Sequence, residues 1–184
     1  DGWLDLAVLN GHVYDGRVDN IPFRMLPQLF EGSRDGFLLH SGMEAGDYWS
    51  GKKLGRTLAT LDWNQDGRID LLANHLDEPI ALLQNDAFGE NWIQFELVGT
   101  TSEREAIGAE LEVASREERW TGWQIGGDGL MCSNEPIVHF GIGDAEKTVS
   151  VVVQWPSGMT TELTDLPVNR RYLVVEGQEN AFAR

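Results

Sequence analysis

The hydrophobic pattern of residues 1–88 predicts short β-strands joined by polar loops. Five apolar or alternating runs have the lengths of strands, and Gly, Pro, Asp and Asn, which favour turns, lie between them. From 57 to 85 the order is strand, acidic loop, strand, turn and strand, a β-meander of the kind that forms a propeller blade. The five runs are 28–31, 36–40, 57–61, 69–74 and 80–85.

A different pattern begins near residue 89. Seven short runs separated by Gly and polar turns predict an antiparallel β-sandwich or barrel, and no segment keeps the apolar period of a helix over several turns. We therefore predict an all-β protein, with partial β-propeller-type repeats over 1–88 and an antiparallel β-sandwich-like domain over 89–184. The seven runs are 93–98, 109–114, 119–125, 137–140, 149–155, 160–163 and 172–175.

The loop that follows residue 61 has the pattern of a calcium-binding loop. Oxygen-bearing side chains occupy positions 1, 3, 5 and 9 of the stretch that begins at Asp62, and Gly67 stands at position 6, where the chain turns sharply. This alternation lets one short loop surround a hard cation, while Arg68 at position 7 contributes its backbone carbonyl and points its side chain into water. The predicted Ca²⁺ ligands are Asp62, Asn64, Asp66, Asp70 and the Arg68 carbonyl.

Two other interpretations compete with that of a calcium-binding loop that links two strands. Position 12 is Ala73, whereas an EF-hand requires a bidentate Glu there, so the pattern excludes an EF-hand. The second is an acidic turn without any ion, because Asp, Asn and Gly favour turns by themselves. Carboxylates packed at alternate positions repel one another unless a cation neutralises them, which favours calcium.

An internal repeat links the loop to the start of the chain. Residues 1–6 resemble residues 66–71, at an offset of 65 residues. The positions that would supply ligands 1 and 3 of this first copy lie upstream of Asp1. We therefore expect a weaker second site at Asp1 and Asp5, in a C-terminal fragment of a longer natural protein.

The charge of the chain limits its partners. Its 184 residues include 30 acidic and 14 basic side chains, and the net charge of −16 argues against nucleic acid or anionic membranes as partners. The hydrophobic share of 41% is that of a folded protein. No apolar run is long enough to span a bilayer, no signal peptide is evident, and Cys132 has no second cysteine for an intramolecular disulfide.

The second meander resembles an FG-GAP/VCBS-type repeat of integrin-like β-propellers. The resemblance rests on the Gly-Arg-Thr-Leu-Ala string at 55–59, the acidic loop at 62–70, Asn74, and the Leu-Leu-Gln-Asn string at 82–85. It implies calcium binding in the blade loops. It also implies a fuller propeller upstream, since closure takes about four to eight blades.

The second part of the chain resembles the ASPIC/UnbV domain, which commonly follows such repeats in secreted proteins. It departs from that family at 128–133, where the usual Ser-aromatic-Leu-Ser string is missing, so a function tied to this loop is not carried over. Together the resemblances imply an extracellular, cell-surface or periplasmic protein that binds rather than catalyses. The matching strings are 91–92, 106–109, 126–127, 139–143 and 153–158.

An aromatic platform for sugar rings is one alternative to a purely structural use of the tryptophans. Trp120 and Trp123 are three apart, so they face opposite sides of one strand and at least one packs in the core. Trp155 ends a strongly apolar run, which favours burial as well. The candidate sugar-contacting residues are Trp120, Trp123, Trp155, Glu117, Glu118 and Asp128.

The histidines and Ser157 give weaker signals. His12 and His75 follow corresponding strands of the repeat, which packing symmetry explains as well as a transition-metal site does. His139 precedes two glycines but no helix follows to bind an anion, so we expect a structural hydrogen bond there. Ser157 lacks the glycines of a nucleophile elbow, and no carboxylate pair stands out. We therefore expect no enzymatic activity.

These observations favour a secreted or surface calcium-binding module that binds a protein or glycan ligand without catalysis. The calcium ion is structural, because the loop joins two strands. One alternative is a carbohydrate-binding or glycosidase-associated domain, and another is a purely structural cap of a longer propeller. Exposed strand edges would also permit dimerisation.

Overall fold

The described part of the chain is all-β apart from one four-residue helix, as the hydrophobic pattern predicts. The computed structural model describes residues 2–16, 18, 20–40, 45–116, 118–144 and 147–184. Within these ranges no helix is long and apolar enough to cross a membrane. The elements are β1 (Leu6–Val8), β2 (Gln28–Ser33), β3 (Gly36–His40), α1 (Asp47–Ser50), β4 (Gly55–Leu61), β5 (Asp70–His75), β6 (Ala81–Leu83), β7 (Asn91–Val98), β8 (Glu110–Ala114), β9 (Arg119–Trp123), β10 (Val138–Gly143), β11 (Thr148–Gln154), β12 (Thr160–Pro167), β13 (Arg170–Val175) and β14 (Ala181–Ala183).

The first six strands form two three-stranded antiparallel meanders, β1-β2-β3 and β4-β5-β6. The repeat seen in the sequence has a structural counterpart in them. Asp5 accepts a hydrogen bond from the backbone N–H of Gly32 at 2.8 Å, and Asp70 accepts one from the backbone N–H of Asn85 at 2.7 Å. In both meanders an aspartate at the start of a strand thus holds the neighbouring segment.

Two four-stranded sheets form the region from β7 to β14, in the orders β10-β7-β13-β14 and β12-β11-β8-β9. Neighbouring strands are antiparallel except β7 and β13, which run parallel with Phe95 opposite Tyr172. The prediction of a wholly antiparallel domain is wrong for this pair. Strands β8 to β12 intervene between β7 and β13, and a crossover of that length lets the chain return in the same direction. Among the described strands, no sheet closes into a barrel.

One hydrophobic cluster holds these two sheets together. Alternate residues of β11, at 149, 151 and 153, are buried, and the residues between them are less so. The ring of Phe95 on β7 lies 6.1 Å from that of Phe140 on β10 and 6.2 Å from that of Tyr172 on β13. Strands β10 and β13 are the two neighbours of β7 in the sheet. The period-two pattern that predicted the strands therefore also identifies the face that forms the core.

Three elements of three or four residues escape the sequence pattern, and β1 is the first of them, since residues 6–8 lie outside the predicted runs. Helix α1 lies in the Gly-rich stretch at 41–56, and it buries Trp49. Strand β14 pairs antiparallel with β13 at the edge of its sheet. All three are short, and elements of three or four residues have too few positions to show a period.

Candidate metal centre

The predicted calcium loop connects β4 to β5, and its first and last predicted ligands are buried. Asp62 is 3% exposed and Asp70 is 1% exposed. Two residues of the loop have left-handed backbone, Gln65 with φ 58° and Gly67 with φ 83°. A Cβ at Gly67 would stand 1.9 Å from the indole of Trp92. The glycine that the calcium pattern requires is therefore also required by the packing of β7.

Hydrogen bonds from the backbone shape the loop. Asp62 accepts from the N–H groups of Asp66 at 3.0 Å and Gly67 at 2.9 Å. Asn64 Oδ1 accepts from the N–H of Asp66 at 3.2 Å, and Asp66 Oδ1 accepts from the N–H of Arg68 at 2.9 Å. Each side chain at positions 1, 3 and 5 thus bonds backbone further along the loop, the arrangement that Asp and Asn favour in turns.

Asp70 ties the end of the loop to its beginning. One carboxylate oxygen accepts from the N–H of Trp63 at 3.0 Å, and the other accepts from the N–H of Asn85 beyond β6 at 2.7 Å. Within the described part of the chain, no cationic side chain contacts this carboxylate. Its negative charge is therefore held by backbone dipoles alone.

The side chain of Arg68 does not point into water, which corrects the expectation from the sequence. Its guanidinium forms an ion pair with the second carboxylate oxygen of Asp66, and Nε donates to the carbonyl of Asn85 at 2.7 Å. The planar group has five donors and can hold a carboxylate and a carbonyl at once. Asp66 therefore has a cationic partner, whereas Asp70 has none among the described residues.

The donor set suits calcium in chemical type. Calcium binds about six to eight oxygen ligands, and the loop offers carboxylate, amide and carbonyl oxygens. A carboxylate oxygen has two lone pairs. Counting the hydrogen bonds among described residues, one lone pair stays unused on Asp62 Oδ1, on Asp66 Oδ1 and on both oxygens of Asp70.

In this structure the side chains of the loop are not arranged around a common point as in a metal site. In the described ranges no three His, Cys, Asp or Glu side chains form a group that could hold a metal ion. Asp66 is engaged by Arg68, and Asn64 Nδ2 donates to the same oxygen of Asp66 at 2.6 Å. The loop therefore fits calcium in donor chemistry, and Asp66 could supply a ligand through Oδ1 while its Oδ2 stays with Arg68.

A buried polar network joins the loop to the region after β6. Gln94 of β7 is 0% exposed, and its Nε2 donates to Asp62 Oδ2 at 2.8 Å and to His139 Nδ1 at 3.2 Å. Its Oε1 accepts from Nε of Arg171 at 2.8 Å, and Arg171 pairs with Glu135 at 2.7 Å. Burial lowers the pKa of His139 to about 4, although Asp62 opposes the shift, so the ring is neutral near pH 7. The predicted structural hydrogen bond of His139 is confirmed.

The atypical stretch at 128–133 and the two residues after it lie against β4. Asn134 Oδ1 accepts from the N–H of Thr60 at 2.8 Å, and the N–H of Glu135 donates to the carbonyl of Thr60 at 3.0 Å. Glu135 Oε2 accepts from the N–H of Asp62 at 2.9 Å, and Cys132 Sγ donates to the carbonyl of Leu58 at 3.4 Å. This stretch therefore contacts the strand that leads into the loop.

Sequence reasoning missed Gln94, Glu135 and Arg171. Gln94 does give one signal, because it is a polar residue in the otherwise apolar Trp-Ile-Gln-Phe run. A polar side chain on a strand buried on both faces must find a hydrogen-bond partner. The other two stand in polar stretches and give no such signal.

The other predicted site residues are dispersed. Asp1 and Glu117 lie outside the described residues, and Asp5 holds Gly32 as described above. Trp155 is buried and donates to Thr161 Oγ1 at 2.9 Å. Trp120 packs against the core, Trp123 and Glu118 are exposed, and Asp128 accepts from Asn134 at 2.6 Å.

The two histidines of the repeat have separate partners. His75 contacts the Tyr48 hydroxyl at 2.7 Å and the Pro79 carbonyl at 3.1 Å. The Nδ1 of His12 lies 2.9 Å from the carbonyl of Tyr14. His12 and His75 therefore have similar places in the repeat but bond to different groups.

Ser157 belongs to a nest around Glu176, which the sequence did not reveal. Glu176 is 2% exposed, and one of its oxygens accepts from the N–H groups of Thr100, Thr101 and Ser102 at 2.7–2.8 Å. The other accepts from the Ser157 and Ser102 hydroxyls. Burial raises the pKa of Glu176, but these hydrogen bonds outweigh it and lower the pKa to about 2. Ser157 therefore joins two turns through a buried carboxylate.

Residues 99–181 match the sequence profile of the family described as ASPIC and UnbV. The C-terminal part of the chain thus carries an ASPIC/UnbV domain, and the second of the two resemblances is confirmed. The resemblance to FG-GAP/VCBS repeats stays a prediction.

The chain is also similar to curated relatives named cartilage acidic protein 1. It is 31% identical over 105 residues to the protein from Homo sapiens, which is 53% of this chain and 15% of that protein. The protein from Mus musculus is 31% identical over 105 residues, 53% of this chain and 16% of its own length. The protein from Xenopus tropicalis is 29% identical over 108 residues, 54% of this chain and 16% of its own length. The chain therefore covers a small part of these relatives.

Proposed function

We propose that this chain is a calcium-binding part of an extracellular, matrix-type binding module. The observation that carries calcium is the Asp70 carboxylate, which is 1% exposed and has only backbone N–H partners in the described chain. A buried charge is unfavourable unless it is paired. The three oxygen ligands expected at positions 1, 3 and 5 precede it in the same loop.

In this proposal Asp62, Asn64, Asp66, Asp70 and the Arg68 carbonyl hold the ion. Calcium supplies a cross-link between β4 and β5, and its role is structural rather than catalytic. Asp66 offers Oδ1 to the ion while Oδ2 stays paired with the Arg68 guanidinium, and Arg68 keeps its bond to the carbonyl of Asn85. Affinity on the order of 10⁻⁴ to 10⁻³ M is typical of extracellular modules and would suit such a site.

The extracellular setting is supported by the match to the ASPIC/UnbV domain and by the similarity to proteins named cartilage acidic protein 1. We extend the proposal to the FG-GAP/VCBS resemblance, in which residues 1–88 belong to propeller-type repeats and 89–184 to the second domain. The presence of three-stranded antiparallel meanders in the first 88 residues supports that division. The ligand of the module would be a protein or a glycan, and exposed strand edges would allow dimers.

Calorimetric titration of the chain with CaCl₂, together with thermal melting, tests the proposal. We expect calcium to raise the melting temperature of the wild type and to have much less effect on Asp66→Asn. Asp35→Asn is the matched control, because Asp35 is an exposed turn residue outside the loop. If Asp66→Asn responds to calcium as Asp35→Asn does, the ligand assignment is wrong.

A specific observation also favours the carbohydrate alternative. A cleft of about 460 Å³ lies beside the loop, within the usual size of small-ligand sites. An indole, an amide and several carboxylates could stack on and hydrogen-bond to a sugar. Binding to a glycan array that Asn169→Ala abolishes would support this function. The side chains that line the cleft include Asp66, Arg68, Glu90, Asn91, Trp92, Asp144 and Asn169.

A further inference from the structure

The first predicted ligand of the loop is held by residues far away in the sequence. Asp62 Oδ2 accepts from Gly67 at 2.9 Å and from Gln94 at 2.8 Å, so both of its lone pairs are engaged. Oδ1 accepts only from Asp66 at 3.0 Å among the described residues. The carboxylate is therefore fixed with Oδ1 as the oxygen that still has a lone pair for a cation.

Glu135 fixes the same residue through its backbone and balances the nearest positive charge. Its Oε2 accepts from the N–H of Asp62 at 2.9 Å, and its Oε1 accepts from Arg171 at 2.7 Å. Arg171 also stands 3.9 Å from Asp62 Oδ2. Because Glu135 pairs with Arg171, the guanidinium is not left to neutralise Asp62, and the charge of Asp62 stays available to an ion.

We propose that Gln94, Glu135 and Arg171 position Asp62 for calcium, so that ion binding and the packing of β4 against the ASPIC/UnbV part strengthen each other. This inference rests on the calcium site proposed above. Residues that orient a metal ligand typically change metal affinity by about 10- to 100-fold when they are mutated. Linkage is reciprocal, so an ion that prefers the oriented Asp62 also stabilises the contacts that orient it.

The coupling has a visible route through the backbone. The backbone at Thr60 and Asp62, where β4 leads into the loop, hydrogen-bonds to Asn134 and Glu135. The side chain of Asp62 also accepts a hydrogen bond from Gln94 of β7. Gly67, five residues further on, packs against the indole of Trp92. An ion that orders the loop therefore restricts groups that contact both β7 and the stretch at 132–135.

Two variants and a matched control test this coupling. Gln94→Met keeps the length of the side chain but removes the donor to Asp62, and Glu135→Gln weakens the pairing with Arg171 at a less buried position. Gln124→Met makes the same change as Gln94→Met at another buried polar residue, whose backbone bonds to Gly108 and Ala109 rather than to the loop. If Gln94→Met does not fold, Glu135→Gln alone decides the question.

The measurements are the calcium dissociation constant and hydrogen exchange of segments 62–70 and 132–137, with and without CaCl₂. We expect Gln94→Met to bind calcium about tenfold more weakly than wild type. Glu135→Gln is also weaker, and Gln124→Met binds like the wild type. In the wild type, calcium slows exchange in both segments, and in Gln94→Met it slows exchange in 62–70 only.

The outcomes separate this inference from the calcium proposal on which it rests. If the wild type releases no heat and shows no protection with CaCl₂, the calcium site itself is refuted. If the wild type binds calcium and Gln94→Met and Glu135→Gln bind within twofold of it, the site stands and the positioning role is refuted. Equal weakening by Gln124→Met would also refute it, because the effect would then follow general stability.

Discussion

Replacing Gly67 by alanine tests how the acidic loop at 62–70 packs against Trp92 of strand β7. Gly67 has φ 83°, and a Cβ at that position would lie 1.9 Å from Cε2 and 2.1 Å from Nε1 of Trp92. Both distances are far inside van der Waals contact. The variant must therefore adopt a strained backbone and also displace an indole ring or the loop itself.

The two contributions can be estimated separately. A left-handed backbone costs a residue with a Cβ about 1–2 kcal/mol. Overpacking typically costs about 1–3 kcal/mol in addition. We expect Gly67→Ala to lower the free energy of unfolding by about 2–5 kcal/mol, a fall in melting temperature of roughly 4–20 °C at this chain length.

Gly158→Ala is the matched control, since Gly158 has φ 89° and no atom within 4 Å of its missing Cβ. Only the backbone contribution applies there, so its midpoint in urea unfolding should fall by much less. Trp92→Leu in the Gly67→Ala background should recover part of the loss, because a smaller side chain leaves room for the Cβ. Equal losses for the two glycine variants, or no recovery in the double variant, would refute the packing argument.

Two further predictions concern pH. Glu176 has its pKa lowered to about 2, so the stability that it contributes is present above its ordinary pKa of 4.5 and is lost as pH falls towards 2. Glu176→Gln should therefore be less stable than wild type at pH 7 and approach it near pH 2, as measured by urea unfolding across pH; a difference independent of pH would contradict this. The pKa of His139 is lowered from 6.5 to about 4, so the unfolded chain takes up a proton before the folded chain does, and stability declines as pH falls between these values. His139→Gln should lack that part of the decline in the same assay, and an unchanged pH profile would show that His139 does not carry it.

The period-two pattern was sufficient to locate most strands and the core face. In β11, for example, the alternate residues 149, 151 and 153 are all valine and all buried, whereas Val152 between two of them is only partly buried. The ends of strands were less predictable. Strand β9 ends at Trp123, whereas the predicted run continued to 125, and β12 continues to Pro167 beyond the predicted 163. At such positions hydrogen bonding to a neighbouring strand decides where the strand ends. The local sequence does not show which strand that neighbour is.

Some features of the candidate site could likewise be predicted from the sequence and others could not. The proposed ligand positions within one loop follow from spacing, and the required glycine follows from turn geometry. The role of Arg68 did not follow, because a guanidinium two residues from Asp66 can bond back to it or extend into water, and only the nearby carbonyl of Asn85 selects between them. The parallel pairing of β7 with β13 also depends on contacts between residues about 77 positions apart, such as Phe95 and Tyr172.

Asp62 and Asp66 show how the loop can hold its shape and still leave oxygens open to the proposed ion. Asp66 is neutralised within the loop by Arg68, whereas the nearest guanidinium to Asp62, that of Arg171, is already paired with Glu135. The proposed cation would share the charge of Asp66 with Arg68, whereas it would meet the charges of Asp62 and Asp70 without displacing a directly paired side chain. The charge that Arg68 shares with Asp66 would weaken the proposed site and the two buried carboxylates would strengthen it, and the affinity on the order of 10⁻⁴ to 10⁻³ M proposed above stays the expectation. Such a site would be filled where calcium is abundant, which agrees with the extracellular setting proposed for this chain.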